Sequence, residues 1–422
     1  MREMKDSNYG YLGIVPQSWK VDKIKYHLKA LGMRNHGNAQ VLSVYREYGV
    51  IPKDSRDDNH NVTSEDTSNY RYVRKGDFVI NKMKAWQGSM AVSRYIGIVS
   101  PAYYVYQFTD DALNRGYFHY LLRSKLYAAE FARISGGIRV GQWDLSAYNF
   151  ENTMLLIPPL EEQGKIATFL DSQCSEIDAI SADIQKEIET LEQYKRSVIT
   201  EAVTKGLNPD AEMKDSGVAW CPQIPSHWQY SNPKGLFGLR TDRAFRDDRQ
   251  LTASQEYGIV YQDEYMEKTG NKVVTVTKDF SILKHVEPDD FVISMRSFQG
   301  GLEYSDKRGC ISSAYVMLIP NKEFVYAPFY RWFFKSSKYI NALQSTSNLV
   351  RDGQAMRYAN FVKVPLFIVP IEEQKAIASY LDEKIEKVNS ILAEKKKQLE
   401  ILSNYKKSLI YEYVTGKKEV LT

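Results

Sequence analysis

The chain has 422 residues, 43% of them hydrophobic, with 30 Tyr and 17 Phe. That is too much material for one ordinary core and too apolar for a disordered protein, so two domains or more are expected. The net charge is only +4, yet residues 159–205 hold five basic against ten acidic groups and residues 370–422 ten against nine, which leaves 41 against 33 elsewhere, a surplus placed where phosphate could be met.

The opening carries no apolar leader segment, and no run of about eighteen apolar residues occurs, so secretion and membrane spanning are not expected. Cys174, Cys221 and Cys310 are scattered in a way that fits neither a disulfide framework nor a zinc site. A reducing cytoplasm is the expected compartment.

In chain order, the first segment, Met4-Lys-Asp-Ser, leads to Pro16 and Trp19, and the same letters return at Met213 and lead to Pro225 and Trp228 with identical spacing. Leu42–Val50 is answered by Leu251–Ile259, DFVINKMKAWQG from Asp77 by DFVISMRSFQG from Asp290, and Ala102-Tyr103 by Ala314-Tyr315. The repeat length, roughly 210 residues, is far above solenoid periods and marks a duplicated domain. VLSV, DFVI, YYVYQF and MLLIP in the first copy, and DFVIS, AYVMLIP and VPLFIVP in the second, predict short strands. The aromatic segment 117–126 and its counterpart 329–340 each predict a helix, so each copy reads as a mixed α+β domain of about 150 residues.

After each domain comes a segment of different character. Pro159-Leu-Glu-Glu-Gln aligns without a gap on Pro370-Ile-Glu-Glu-Gln, and the match runs on to Val203-Thr204 and Val414-Thr415. Proline followed by two glutamates suits a helix opening, where negative charge meets the positive end of the dipole. Ile177, Ile184, Ile188, Leu191 and Val198 in one segment, and Ile385, Val388, Leu392, Leu399, Leu402 and Leu409 in the other, follow coiled-coil steps of three, four and seven. A straight helix of about 45 residues is roughly 68 Å long. The second helix, laid antiparallel on the first, would return the C-terminus toward the first domain and relate the two domains by a pseudo-twofold.

These residues, above all the two PxEEQ…LD helices, the paired Pro/Trp openings and the GDF and DDF strands, resemble the specificity subunits of type I restriction-modification enzymes over essentially the whole chain. The resemblance implies an α+β chain of two tandem target-recognition domains, residues 1–158 and 207–369, separated by a central helical spacer, 159–206, and a C-terminal one, 370–422. It further implies double-stranded DNA, two DNA methyltransferase subunits and restriction/translocase subunits as partners. A protein with two reading ends suits a bipartite, asymmetric target.

No catalytic apparatus is legible. A methyltransferase needs a cofactor-binding glycine loop and an Asn/Asp-Pro-Pro-aromatic loop; the nearest strings, Gly136-Gly137 with Gly141 and Ser231-Asn232-Pro233-Lys234, do not qualify, and no GxxxxGK[ST] loop occurs. Pro209–Lys214 contains, in Asp210, Glu212 and Lys214, the letters of a nuclease metal motif, but crowded into six residues they would not converge on one cation. S-adenosylmethionine, ATP and Mg are therefore expected on partner subunits and no metal on this chain. A coiled-coil scaffold binding protein partners, or the recognition part of a single-chain nuclease-methyltransferase, are the competing readings.

For DNA contact, residues shared by both copies suit phosphate and residues that differ suit bases. Shared candidates are Lys84 with Arg296, Trp86 with Phe298, Gln87 with Gln299, Arg139 with Arg351 and Gln142 with Gln354, together with Lys82. Divergent polar stretches at 34–36 and 56–74 in the first copy, and 240–249 and 262–272 in the second, are candidate base readers, Arg and Lys for guanine, Asn and Gln for adenine.

Overall fold

The computed structural model describes the chain except residues 1, 35, 37, 57–62, 138–142, 277–279, 296, 347–356 and 421–422, and the side chain of Phe298. It divides into two compact units: Met1–Gln185 with Lys397–Thr422, and Lys186–Lys396. Each long helix thus contributes one stretch to each unit.

In the first unit a four-stranded antiparallel sheet runs in the order Leu28–Ala30, Tyr103–Phe108, Phe78–Asn81, Met90–Val92. Two ribbons, Leu42–Tyr45 with Gly49–Pro52 and Arg71–Val73 with Gly97–Val99, extend the β portion. Helices α1 (Arg115–Arg123), α2 (Lys125–Ile134) and α3 (Ala147–Glu151) follow, and the strand Met154–Ile157 pairs back with Lys20–Lys23 before α4 (Leu160–Lys205) begins. The aromatic segment expected as one helix is two. Ser124 is extended at ψ 157°, and its backbone carbonyl accepts from Ala128 to start α2, so the chain turns at a small buried residue. The long helix opens as expected, the Pro159 carbonyl accepting from Gln163 N–H.

The second unit repeats the plan: a sheet in the order Phe237–Arg240, Val316–Pro320, Phe291–Ile293, Glu303–Tyr304, ribbons Leu251–Ser254 with Gly258–Tyr261 and Lys284–Val286 with Gly309–Ile311, and helices α5 (Pro233–Leu236), α6 (Gln262–Thr269), α7 (Ser297–Gly300), α8 (Ala327–Phe333), α9 (Ser337–Ser345) and α10 (Tyr358–Phe361) before α11 (Ile371–Val414). The counterpart aromatic helix also breaks, here at Ser336, again extended at ψ 139°.

The recurring letters have a structural meaning. Gln163 is fully buried; its amide donates to Ala112 O and Pro158 O at 2.9 Å each and accepts from Asn114 N–H at 2.7 Å. Gln374 does the same with Phe324 O, Val369 O and Tyr326 N–H. Trp19 and Trp228, also fully buried, donate their indole N–H to Glu162 and Glu373, the second glutamate of each PxEEQ. Against each tryptophan lies the glycine that ends a long helix, Gly416 in the first unit and Gly206 in the second, both at positive φ; a Cβ on Gly416 would sit 2.4 Å from Pro16 Cγ. The end of α11 is thereby held on the first domain, with Tyr117 donating to Val414 O at 3.2 Å.

Within each unit the two long helices run antiparallel: Phe169 meets Tyr413 and Asp178 meets Lys406 in one, while Glu187 meets Lys395 and Lys195 meets Asn389 in the other. Ile177, Ile188, Ile385, Val388, Leu392 and Leu409 are buried, and Ile184, Leu191, Val198, Leu399 and Leu402 half-buried. The same steps also take in Lys195, Lys395 and Lys406, so the seam is apolar with three polar rungs, each lysine bonded across to the facing helix.

Candidate nucleic-acid interface

In the first domain the strand Phe78–Asn81 runs into a short 3-10 turn, Lys82–Gln87, closed by Gly88 at φ 81°, a left-handed conformation suited to glycine. Lys84 is exposed, Lys82, Trp86 and Gln87 half-buried. Lys82 donates to Asp144 at 2.9 Å, and that bond raises its pKa. Its carbonyl accepts from Leu145 N–H, while Gly136 and Asp144 exchange two backbone hydrogen bonds. Gly136 and Asp144, which flank the segment 137–143, therefore stand beside the Lys82–Gln87 turn. Arg139 and Gln142 fall in that segment and lie outside the described residues, but its base stands at the turn: Trp143 meets Trp86 edge-on at 5.2 Å. Trp143 and Asp144 escaped the sequence comparison because they differ between the copies.

In the second domain the corresponding turn is helical, α7, and its left-handed closing residue is Gly301 at φ 79°. A Cβ there would lie 2.0 Å from Phe334 O, so the turn is pressed against the end of α8. Gln299 is exposed; Arg296, Arg351, Gln354 and the Phe298 side chain lie outside the described residues. The ends of the 346–357 segment are closed by Asn360, whose side chain donates to Thr346 O at 3.0 Å. Asn149 closes the 135–146 segment in the same way, donating to Ile134 O at 2.7 Å. In both domains an asparagine thus bonds to the residue that leads into the polar segment, Ile134 in one and Thr346 in the other. The shared Asn-Phe at 149–150 and 360–361 was the signal for it.

The divergent stretches behave differently from one another. Arg240 makes a two-pronged pair with the buried Asp290 at 2.6 and 3.0 Å, Arg249 pairs with Asp263 and lies 3.6 Å from the Tyr261 ring centre, and Arg74 pairs with Asp77. These side chains brace their own frame. The segment that separates the ribbons holds α6 in the second domain and a short 3-10 turn, Lys53–Ser55, in the first, so the two frames carry different inserts. Asp210, Glu212 and Lys214 form no cluster: Glu212 O accepts from Ser226 N–H, and Lys214 sits in a hairpin with Ile224. Among the described residues no group of three or more His, Cys, Asp or Glu side chains could hold a metal ion, and no helix is long and apolar enough to cross a membrane.

The type I restriction-modification DNA specificity domain matches the chain twice, at residues 17–190 and 225–401. The chain belongs to that family. Among curated relatives, a Methanocaldococcus jannaschii protein assigned as the specificity subunit of the type I restriction enzyme MjaX is 24% identical, covering 97% of this chain and 96% of its own. The MjaVIII specificity subunit of the same organism is 22% identical over 96% and 94%. A chain solved in work on complex assembly and conformational transition of the type I restriction-modification system shares the fold, with a TM-score of 0.66 at 14% identity over 96% of this chain and 99% of that one. In this specificity family member each domain match takes in a sheet, its ribbons and the opening of a long helix, so the helices are part of the family's repeated unit.

Proposed function

We propose that the chain is the specificity subunit of a type I restriction-modification enzyme, in which each domain reads one half of a split, asymmetric duplex target while methyl transfer and cleavage are carried out by partner subunits. The observation that carries this reading is the repetition of one frame with different inserts. The sheets, the glutamine clamps and the asparagine bonds at Ile134 and Thr346 repeat, whereas the segments between the ribbons do not. Repeated parts suit phosphate and unlike parts suit unlike bases. Lys84, Trp86, Gln87, Arg139 and Gln142 would meet DNA in the first domain, and Gln299 with Arg296, Phe298, Arg351 and Gln354 in the second.

The long helices would dock two copies of a methyltransferase subunit. Exposed apolar residues recur on them at matching positions, Ile180 with Ile391 and Tyr194 with Tyr405, which supports two like docking surfaces. S-adenosylmethionine, and ATP with Mg, would then be held by the methyltransferase and translocase partners. Mapping methylated bases in a host with and without this chain tests the reading: a split motif that disappears with the chain supports it, and methylation that persists unchanged refutes it.

A further inference from the structure

Hydrogen-bond register reveals a correspondence that the letters hide. Tyr72 N–H donates to Met33 O at 2.9 Å, and His285 N–H donates to Asp242 O at 3.0 Å, at the same place in the two frames. The residues that follow the acceptors are Arg34 and Arg243; those that precede the donors are Arg71 and Lys284, each opening the ribbon strand that pairs with 97–99 or 309–311. Arg243 and Lys284 face each other in an antiparallel bridge. The match extends further: His36 stacks on Tyr72 at 4.0 Å where Phe245 meets His285 at 4.4 Å. The intervening segments differ in length, which is why comparison of the sequences left these positions unmatched.

None of the four basic side chains has a carboxylate within salt-bridge distance among the described residues, although Arg240, Arg249 and Arg308 of the same frame are all neutralised. Among the described residues the Lys284 ammonium donates to Tyr315 O, and the Arg243 guanidinium to Ile282 O. Arg71 lies 5.7 Å from the Tyr104 ring centre, and its buried Nε has no hydrogen-bond partner among the described residues. Burial and the neighbouring Arg243 lower the Lys284 pKa, so the ammonium sits in positive surroundings. Arg71 in turn bears on Lys82, at the edge of the Lys82–Gln87 turn. Like charges left side by side are unfavourable alone and become favourable when an anion shares their hydrogen bonds.

We propose that Arg34 with Arg71, and Arg243 with Lys284, are matched phosphate grips, one per domain, that hold the duplex backbone and set each domain's register irrespective of base sequence. This rests on the DNA-reading function above. The test measures binding of the full chain to a random-sequence duplex and to a duplex carrying the methylation-mapped motif, across a salt titration. For R34Q/R71Q and for R243Q/K284Q, affinity should fall by the same factor on both duplexes, with the salt slope reduced by about two, while preference for the motif is kept. The exposed single variants R34Q and R243Q should each remove about one, and they keep the test open if a double variant fails to fold. Lys396→Gln with Lys397→Gln, on an exposed face of α11, should leave the slope as it was. Unchanged slopes in the grip variants, or loss confined to the motif duplex, would overturn the proposal. A wild-type chain with no salt-dependent affinity for either duplex would instead remove the DNA reading beneath it.

Discussion

Gln163 and Gln374 illustrate how a single side chain can carry a motif. Each is fully buried and makes three hydrogen bonds to backbone groups, one of them buried with it (Pro158 O or Val369 O) and two partly buried. Leaving one such group unsatisfied costs about 1–3 kcal/mol. Gln374→Ala should therefore destabilise its unit by about 3 kcal/mol, seen as a lower urea midpoint; a change under about 0.5 kcal/mol, the scale of an ordinary surface substitution, would mean the clamp is not structural. At Asp77 and Asp290 the letters differ before the aspartate, Gly76 in one and Asp289 in the other: both positions take positive φ, but a Cβ on Gly76 would lie 2.3 Å from the Arg115 guanidinium, whereas the Asp289 side chain has room and accepts from Tyr304 at 3.0 Å. His119 gives a pH signature. Burial, with Arg123 and Arg94 nearby, lowers its pKa to about 3. The unfolded chain, with an ordinary histidine near 6.5, takes up that proton first, so this contribution is whole above about pH 6.5 and drains away as pH falls toward 3. His119→Gln should flatten the fall in melting temperature over that window; an identical acid profile would count against it.

At the scale of elements, the long helices hold by an apolar seam with polar rungs. Leu392 is buried in it, and truncation to Ala should cost about 2–4 kcal/mol. Lys395, whose ion pair with Glu187 is half-exposed, should cost under about 1 kcal/mol when changed to Ala. Equal costs in denaturant unfolding would show that the seam is not where the pairing energy lies. The two asparagine bonds make a sharper functional prediction. Asn149→Ala frees the base of the 135–146 segment and should blur recognition of one half of the target only, with Asn360→Ala affecting the other half. Methylated-base mapping reads this directly, and blurring of both halves by either variant would contradict the separate-reader scheme.

For the whole molecule, the prediction concerns the unspecified gap between half-sites. α4 is unbroken from Leu160 to Lys205. A tolerated four-residue insertion near Glu189 adds about 6 Å of helix, nearly two base pairs at about 3.4 Å each. The mapped motif should then keep both half-sites and change only its spacer; an active variant that still requires the original spacer would show that the helix does not measure the site. Exchanging residues 20–150 for those of a relative should, by the same logic, alter one half-site alone.

The sequence by itself determined the duplication, two strands of each four-stranded sheet (Phe78–Asn81 with Tyr103–Phe108, and Phe291–Ile293 with Val316–Pro320), the two long helices and the apolar seam positions, because those depend on local periodicity and on helix-opening chemistry that one stretch of chain specifies, whereas the short edge strands Leu28–Ala30, Met90–Val92, Phe237–Arg240 and Glu303–Tyr304 carry too little pattern to be read locally. It also carried the family, through letters such as PxEEQ and GDF whose roles it did not reveal. Only tertiary structure decided what those letters do: that each tryptophan bonds the second glutamate of the helix following its own domain, and that the glycine ending a long helix packs against it. It decided that the aromatic helices break at Ser124 and Ser336, where hydrophobic pattern gives no warning. It also sorted the arginines. Arg240 and Arg34 look alike in sequence, but a buried Asp290 contributed from 50 residues away neutralises the first, and no carboxylate among the described residues reaches the second. Such pairings depend on long-range backbone register, which no local spacing encodes.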